Sequence, residues 1–509
     1  FQAVPAVAAP PDHAEAVVVT GELELFYLDD FDNNRYELQY FIEDKKNNRR
    51  YRLEFDGTPP GHLRSGMVIT AKGKAKGREL FLAADGITQS TSQPTQQSLP
   101  AVTGDQKTLV MLGNFTDTDI SCSAAQVNDI MFSDPYGEHV DGVYREMSHE
   151  AVSVSGEVKG PYNINFASTG SCDTAGWANA LETAAVNQGI DVSAYPRKVY
   201  VLPSQNKCSF AGLGSVGSTP SRAWILRCDR GGIYAHELGH NLGMRHASTP
   251  TNAYGDSSDV MGSSSLLRKV NAPHQDQMGW VPDYQIVEVT QSGTYDISTL
   301  GLDPAQATAP QMLKIAKPDS NDFYYLSFRQ PIGFDANIST SYHGRISIHT
   351  YAGNDSSVET FLLGTLQDGE NFIDSNNGLE FTQLSHNSNY ATVQIQMDSA
   401  PPSPTCTAAV PTVSISPSSQ YADAGISAGY TVTITNRDDG NCDNSSFNLA
   451  SSVPSGWSGS LSPSSINLAP GDSGSATLTV TSSATAAAAP YTVEVDVSDS
   501  SESLHAVSA

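Results

Sequence analysis

The residues best suited to chemistry lie in one run, His236-Glu237-Leu238-Gly239-His240-Asn241-Leu242-Gly243-Met244-Arg245-His246. It reads H-E-x-x-H-x-x-G-x-x-H. On a helix, His236 and His240 stand one turn apart and project from the same face. That spacing suits two nitrogen ligands of one zinc ion. Glu237 follows the first ligand and can act as general base on a water at the ion. Gly243 allows the backbone to leave the helix at positive φ, and the turn can swing His246 round as third ligand. Three protein ligands with a fourth position open are the layout of a catalytic zinc rather than a structural one. An ordinary buried helix is the poorer reading, because three clustered imidazoles would each need a separate polar partner.

The run needs a rigid frame, and residues 107–283 supply a mixed pattern of strands and helices. Buried-type strands are expected at 107–115 and 198–203, and another at 221–228 just before the run. Helical patterns fall at 124–131, 139–147 and 178–187. Such a mixture predicts an α/β catalytic domain. Before it, residues 1–89 carry five or six short alternating strands and no helical pattern, which predicts a small OB-like β-barrel. Residues 90–106 are polar and read as an exposed linker that a protease could cut. After it, 284–398 read as a β-sandwich, 399–409 as a Pro-rich linker and 410–509 as an immunoglobulin-like sandwich. The chain as a whole is expected to be multidomain α+β.

Composition narrows the partners. The 509 residues carry a net charge of −27 and a pI near 4.6, which argues against nucleic acid and anionic membranes. The apolar runs fall well short of the roughly 18 residues of a membrane span. A start at Phe1 fits a secretory signal already removed. The six cysteines (Cys122, Cys172, Cys208, Cys228, Cys406, Cys442) make no C-x-x-C pair and read as an extracellular disulfide set. Pairing within domains predicts Cys122–Cys172, Cys208–Cys228 and Cys406–Cys442. The expectation is a secreted, extracellular monomer.

Downstream of the run, Tyr254-Gly255-Asp256-Ser257-Ser258-Asp259-Val260-Met261-Gly262 places a methionine on a tight turn. Together with Asn271-Ala272-Pro273-His274-Gln275-Asp276-Gln277-Met278-Gly279-Trp280, Val143–Ser148 and Val154–Val158, it makes residues 107–396 resemble the gametolysin family of zinc metalloendopeptidases, within the metzincins. The resemblance implies His236, His240 and His246 as zinc ligands, Glu237 as base and Met261 as the packing residue beneath the ion. It also implies a β-rich domain after the catalytic one. As in other metzincins, a strand near the cleft is expected to pair with extended substrate, here Arg222, Ala223, Trp224, Ile225 and Leu226. The implied activity is hydrolysis of extracellular or matrix-type proteins by an enzyme made as a latent zymogen. The other class of function is an adhesin or substrate-binding protein on a weakly catalytic scaffold, against which an intact Glu237 argues.

The sequence departs from the family in two places. Some members hold the pro-region by a cysteine on the zinc, yet residues 1–121 contain none. Latency would then fall to another group, with His62 or an acid near Asp29–Asp32 as the options. Astacin-like relatives place a tyrosine two residues after the methionine, where this chain has Ser263. Tyr254 and His274 are therefore the candidates for an oxyanion or supporting role. Calcium is a second candidate ion, at Asp368-Gly369-Glu370-Asn371 with Asp374. The G-x-G-x-x-G at Gly212–Gly217 precedes Pro220 rather than a helix and reads as a glycine-rich loop, not a dinucleotide site. The C-terminal Asn467–Ser475 segment resembles a small domain attached to some secreted glycosidases and proteases, which implies attachment to a substrate or surface.

Overall fold

The structure is a computed structural model. It describes residues 15–508 apart from 45–46, 48, 58, 61–62, 90–100, 135–136, 206, 263–265, 353–357, 398–408, 439–441, 443 and 499–504. Strands hold 43% of the chain and helices 14%, so β-structure dominates the expected α+β mixture. Two compact units divide at Asp398/Ser399.

The first unit opens with β1 (Glu15–Asp30), β2 (Arg35–Asp44), β3 (Arg49–Glu54), β4 (Val68–Lys76) and β5 (Glu79–Gln89). They pair in the ring β1-β2-β3-β5-β4-β1, a closed barrel. Alternate side chains, among them Leu25, Tyr27, Ile42, Ile69 and Leu80, fill its interior.

The catalytic frame follows: β6 (Gly104–Asp105), β7 (Thr108–Asn114), α1 (Ala124–Asn128), α2 (Val140–Met147), β8 (Val152–Ser153) and β9 (Gly156–Asn163). Then come α3 (Thr174–Asn187), β10 (Arg197–Val201), β11 (Gly212–Ser215), β12 (Ser221–Ile225), α4 (Gly231–Leu242), β13 (Ala247–Ser248) and α5 (Ala272–Gln277). Its sheet runs β9-β7-β10-β12-β11, parallel except for β11. The apolar run of β7 is buried on both faces, as in covered parallel sheets. Leu109 and Met111 face the core under α3, while Val110 and Leu112 face the core that includes α2 and α4.

The barrel is not a separate body. β1 continues the sheet beyond β11, antiparallel, in the register Phe26↔Ser215, Tyr27↔Gly214, Leu28↔Leu213 and Asp29↔Gly212. Of the expected linker, 90–100 lie outside the described residues. Its last part is bound to the catalytic frame: Val102 N–H donates to Met278 O at 2.9 Å, and β6 pairs with β8.

Two further sheets complete the unit. One runs β13-β19-β18-β17-β16-β14, with β14 (Ile286–Glu288), β16 (Met312–Ala316), β17 (Phe323–Arg329), β18 (Arg345–Tyr351) and β19 (Thr360–Leu366). The other runs β15-β22-β21-β20, with β15 (Gly293–Ser298), β20 (Asn371–Asp374), β21 (Leu379–His386) and β22 (Tyr390–Met397). They pack on each other through Leu326, Phe328, Ile348, Phe381 and Val393. Since β13 starts directly after His246, the sandwich is stitched to the candidate site itself. The second unit, described by itself, stacks two four-stranded sheets from residues 412–508 around Val432, Phe447, Leu478 and Val495. Its expected linker, 399–409, lies outside the described residues except for Ala409.

The disulfides correct the sequence expectation. Cys122 pairs with Cys228, and Cys172 with Cys208. The segments before α1 and α4 meet in space, 106 residues apart in sequence, so pairing neighbours along the chain chose wrongly. Cys442 is disulfide-bonded, while Cys406, its expected partner, lies outside the described residues.

Candidate metal centre

Helix α4 carries His236, Glu237 and His240, all fully buried. It stops at Gly243, whose φ of 111° is left-handed and glycine-favouring. The chain then turns back and brings in His246, also fully buried. The three imidazole centroids lie 4.7, 5.1 and 5.4 Å apart, facing one point. His236 Nδ1–H donates to Val260 O at 2.9 Å, and His240 Nδ1–H to Met244 O at 2.8 Å. A carbonyl can only accept, so these bonds fix the tautomer and leave the Nε2 lone pairs aimed inward. Burial, and then the neighbouring His240, push His236 well below the ordinary imidazole range, and burial lowers His240.

Met261 packs beneath this helix. A Cβ built on Gly239 would sit 2.3 Å from its sulfur, so a larger residue there would displace the Met261 side chain. Asp259 shapes the turn, accepting from Met261 N–H at 2.6 Å, Asn271 N–H at 2.7 Å and His274 Nδ1–H at 2.8 Å. His274 is thus a prop behind the turn and is not part of the imidazole cluster.

The fourth member of the cluster comes from the barrel. Asp29, at the end of β1, is fully buried. Its Oδ1 lies 2.8 Å from His246 Nε2, and its Oδ2 3.3 Å from His240 Nε2 and 3.7 Å from His236 Nε2. Burial opposes its ionisation, yet His246 and His240 hold the Asp29 carboxyl well below the usual range. Tyr254 Oη donates to Asp29 Oδ1 at 2.6 Å. Burial and the Asp29 charge push the Tyr254 hydroxyl up, and the same two causes push the Glu237 carboxyl well above its usual value. Of the neighbouring acids, Asp30 accepts from Asn33 and Arg35, and Asp32 pairs with Arg227. His62 and Ser263 lie outside the described residues.

These atoms fit a metal ion. The four ligand atoms lie within 4.8 Å of one another, the one such cluster found among the described residues. Asp29 Oδ2, His236 Nε2, His240 Nε2 and both Glu237 oxygens find no hydrogen-bond partner. Asp29 Oδ2 facing the Nε2 atoms of His236 and His240 with no donor between them calls for a cation. Zinc bonds of about 2.0–2.2 Å in a tetrahedron set ligand atoms about 3.3–3.6 Å apart, close to the Asp29 Oδ2 spacings. The donors expected for calcium differ: Asp368 accepts from Gln383 and His386, Glu370 from Gln367 N–H, and Asp374 from Asn377. They form a protein-bonded polar turn.

The strand expected to pair with substrate cannot do so. Residues Arg222, Ala223, Trp224 and Ile225 belong to β12, bonded by β10 on one side and β11 on the other. Leu226 N–H donates to Ala211 O at 2.9 Å, which ties the next residue to the β11 side as well. Of the catalytic frame's own strands the outermost is β11, and its other side is taken by β1 of the barrel. A Cβ on Gly212 would lie 1.9 Å from Glu237 Oε1, and one on Gly214 2.7 Å from Oε2. The glycines of β11 let the Glu237 carboxyl lie against that strand. Over the cluster, Tyr27 stacks on His240 at 4.5 Å, Phe31 meets His236 at 4.9 Å and Tyr36 meets His246 at 4.8 Å.

Comparison with known proteins matches residues 107–363 to the family described as gametolysin peptidase M11, and residues 422–499 to the NPCBM-associated, NEW3 domain of alpha-galactosidase. A protein named autolysin from Chlamydomonas reinhardtii is 26% identical over 235 residues, covering 38% of this chain and 36% of the relative. The first match takes in the imidazole cluster, the Met261 turn and more than half of the chain, and the chain belongs to the gametolysin peptidase M11 family.

Proposed function

We propose that the protein is a secreted zinc endopeptidase of metzincin type, held latent by its N-terminal barrel, which we read as OB-like. The observation that carries the reading is the unpartnered Glu237 carboxyl, next to His236 on α4 and packed against the glycines of β11. A bound zinc ion would polarise the scissile carbonyl and acidify water. An extended substrate pairing along β11 would lie beside Glu237. Glu237 would take the proton from the attacking water and hand it to the leaving amine. Tyr254, beside His246, is the better placed group to donate to the oxyanion. Disulfides and an acidic composition support extracellular protein substrates. No helix among the described residues is long and apolar enough to cross a membrane.

The test uses chain cut within 90–106 and freed of the barrel, incubated with casein and gelatin, with and without a zinc chelator. Hydrolysis is expected only without chelator. Glu237→Ala is expected to keep zinc and lose ~10²–10⁴-fold in rate. A Glu237→Ala enzyme that cuts casein at the wild-type rate would refute the assignment.

A further inference from the structure

The zinc reading leaves Asp29 unexplained. It lies more than 200 residues before the histidines and belongs to the barrel, not to the catalytic frame. We propose that Asp29 is the fourth ligand of the metal ion and that residues 26–29 take the place of substrate along β11, making the barrel a built-in inhibitor tipped by a carboxylate. The inference rests on the zinc reading of the same site.

Three observations support it. First, Asp29 approaches all three imidazoles, and its Oδ2 has no protein donor. A buried carboxylate oxygen facing the Nε2 atoms of His236 and His240 with no donor between them is costly unless a cation compensates it. Second, β1 pairs with β11 antiparallel over four residue pairs, the hydrogen-bonding that strand addition gives a substrate. The Asp29 and Leu25 carbonyls accept from Ala211 and Val216 N–H at 2.8 and 2.9 Å. Those main-chain oxygens point into the ladder, so the strand offers the ion a side chain and no scissile carbonyl. Third, the strand is fastened on both flanks. Glu24 binds Arg222 at 2.7 Å and Asp32 binds Arg227 at 2.7 Å, while Tyr27 Oη donates to Glu359 at 2.7 Å. A cysteine is thereby unnecessary for latency. Cutting the linker leaves the ladder and the Asp29 contact intact, so activation also requires the barrel to leave.

The test compares full-length wild type, Asp29→Ala and the near-isosteric Asp29→Asn, which keeps the shape should the alanine variant fail to fold. Each is loaded with cobalt for visible absorption with added azide, and separately with zinc for release to a coloured chelator. Wild type is expected to ignore azide. Both variants are expected to shift their cobalt bands, with azide binding roughly 100-fold tighter than to wild type, in which the open position is closed most of the time, and to release zinc at least ~10-fold faster. A wild type that responds to azide like the variants, or variants that hold zinc as wild type does, overturns the proposal. Casein hydrolysis by the barrel-free form is read in parallel. Its absence alongside the expected azide contrast would sink the peptidase reading and leave the ligand assignment standing.

Discussion

Two buried clusters of acid and imidazole lie on either side of the Met261 turn, and they are built on opposite rules. Beyond the turn, the carboxylate oxygens are saturated by donors. Asp256 accepts from Ser258 N–H and Oγ–H, from Asn271 Nδ2–H and from His349 Nε2–H at 2.9 Å. Asp259 accepts from Met261 N–H, Asn271 N–H and His274. In the other cluster, Asp29 Oδ2, His236 Nε2, His240 Nε2 and both Glu237 oxygens find no hydrogen-bond partner. Composition alone does not separate the two, since both combine aspartate and histidine in full burial. The direction of the donors does. A cluster whose carboxylates are all met by donors holds structure together, even with His274 Nε2 and His349 Nδ1 left without partners, whereas lone pairs converging on an unmet carboxylate oxygen make a place for a cation.

Changes in the saturated cluster should therefore cost stability and leave metal binding alone. The largest effect is expected for Asp259→Ala. It strands two buried N–H groups and His274, and should lower unfolding free energy by about 3 kcal/mol. Chemical denaturation measures this, and an equal loss of zinc affinity in the folded protein would blur the contrast.

Acid should come next. Burial opposes the charge of Asp256, but His349 and the other donors hold its pKa at about 2, against 3.8 for the free group. A depressed carboxyl contributes stability above pH 3.8 that is lost as pH falls toward 2. The loss should amount to about 2 kcal/mol. Melting temperatures followed from pH 5 to pH 2 should fall less steeply in Asp256→Asn, which removes the titrating group, than in wild type. Equal slopes would count against this account of Asp256.

The smallest effect is expected for His274→Gln in the barrel-free form. As a prop for Asp259 it should change kcat less than ~10-fold, whereas Tyr254→Phe should cost ~10²-fold as a lost oxyanion donor. The reverse order would restore His274 as the oxyanion group.

The sequence made the local part of the site legible. His236, Glu237, His240, Gly243 and His246 are tied by helix periodicity and one turn, so spacing alone predicts their convergence. Asp29 and β11 depend on a strand pairing across nearly 200 residues, and alternation reports which face a residue takes, not which strand lies beside it. That is why β12 was expected to pair with substrate, and why an acid near Asp29–Asp32 could be named for latency without the strand that brings it to the histidines. The disulfides failed for the same reason, since nearness in sequence stood in for nearness in space. One signal was available. Gly212 and Gly214, alternate residues on one strand face, mark a close approach, and the group that approaches is Glu237.

The claim that converging lone pairs mark the metal is tested most directly by zinc content. Full-length wild type, Glu237→Ala, Asp256→Asn and His240→Ala would be equilibrated with zinc, freed of excess and analysed by mass spectrometry of the metal. One zinc per chain is predicted for the first three and none for His240→Ala. A wild type that takes up no zinc, or an unaltered zinc content in His240→Ala, would contradict the account.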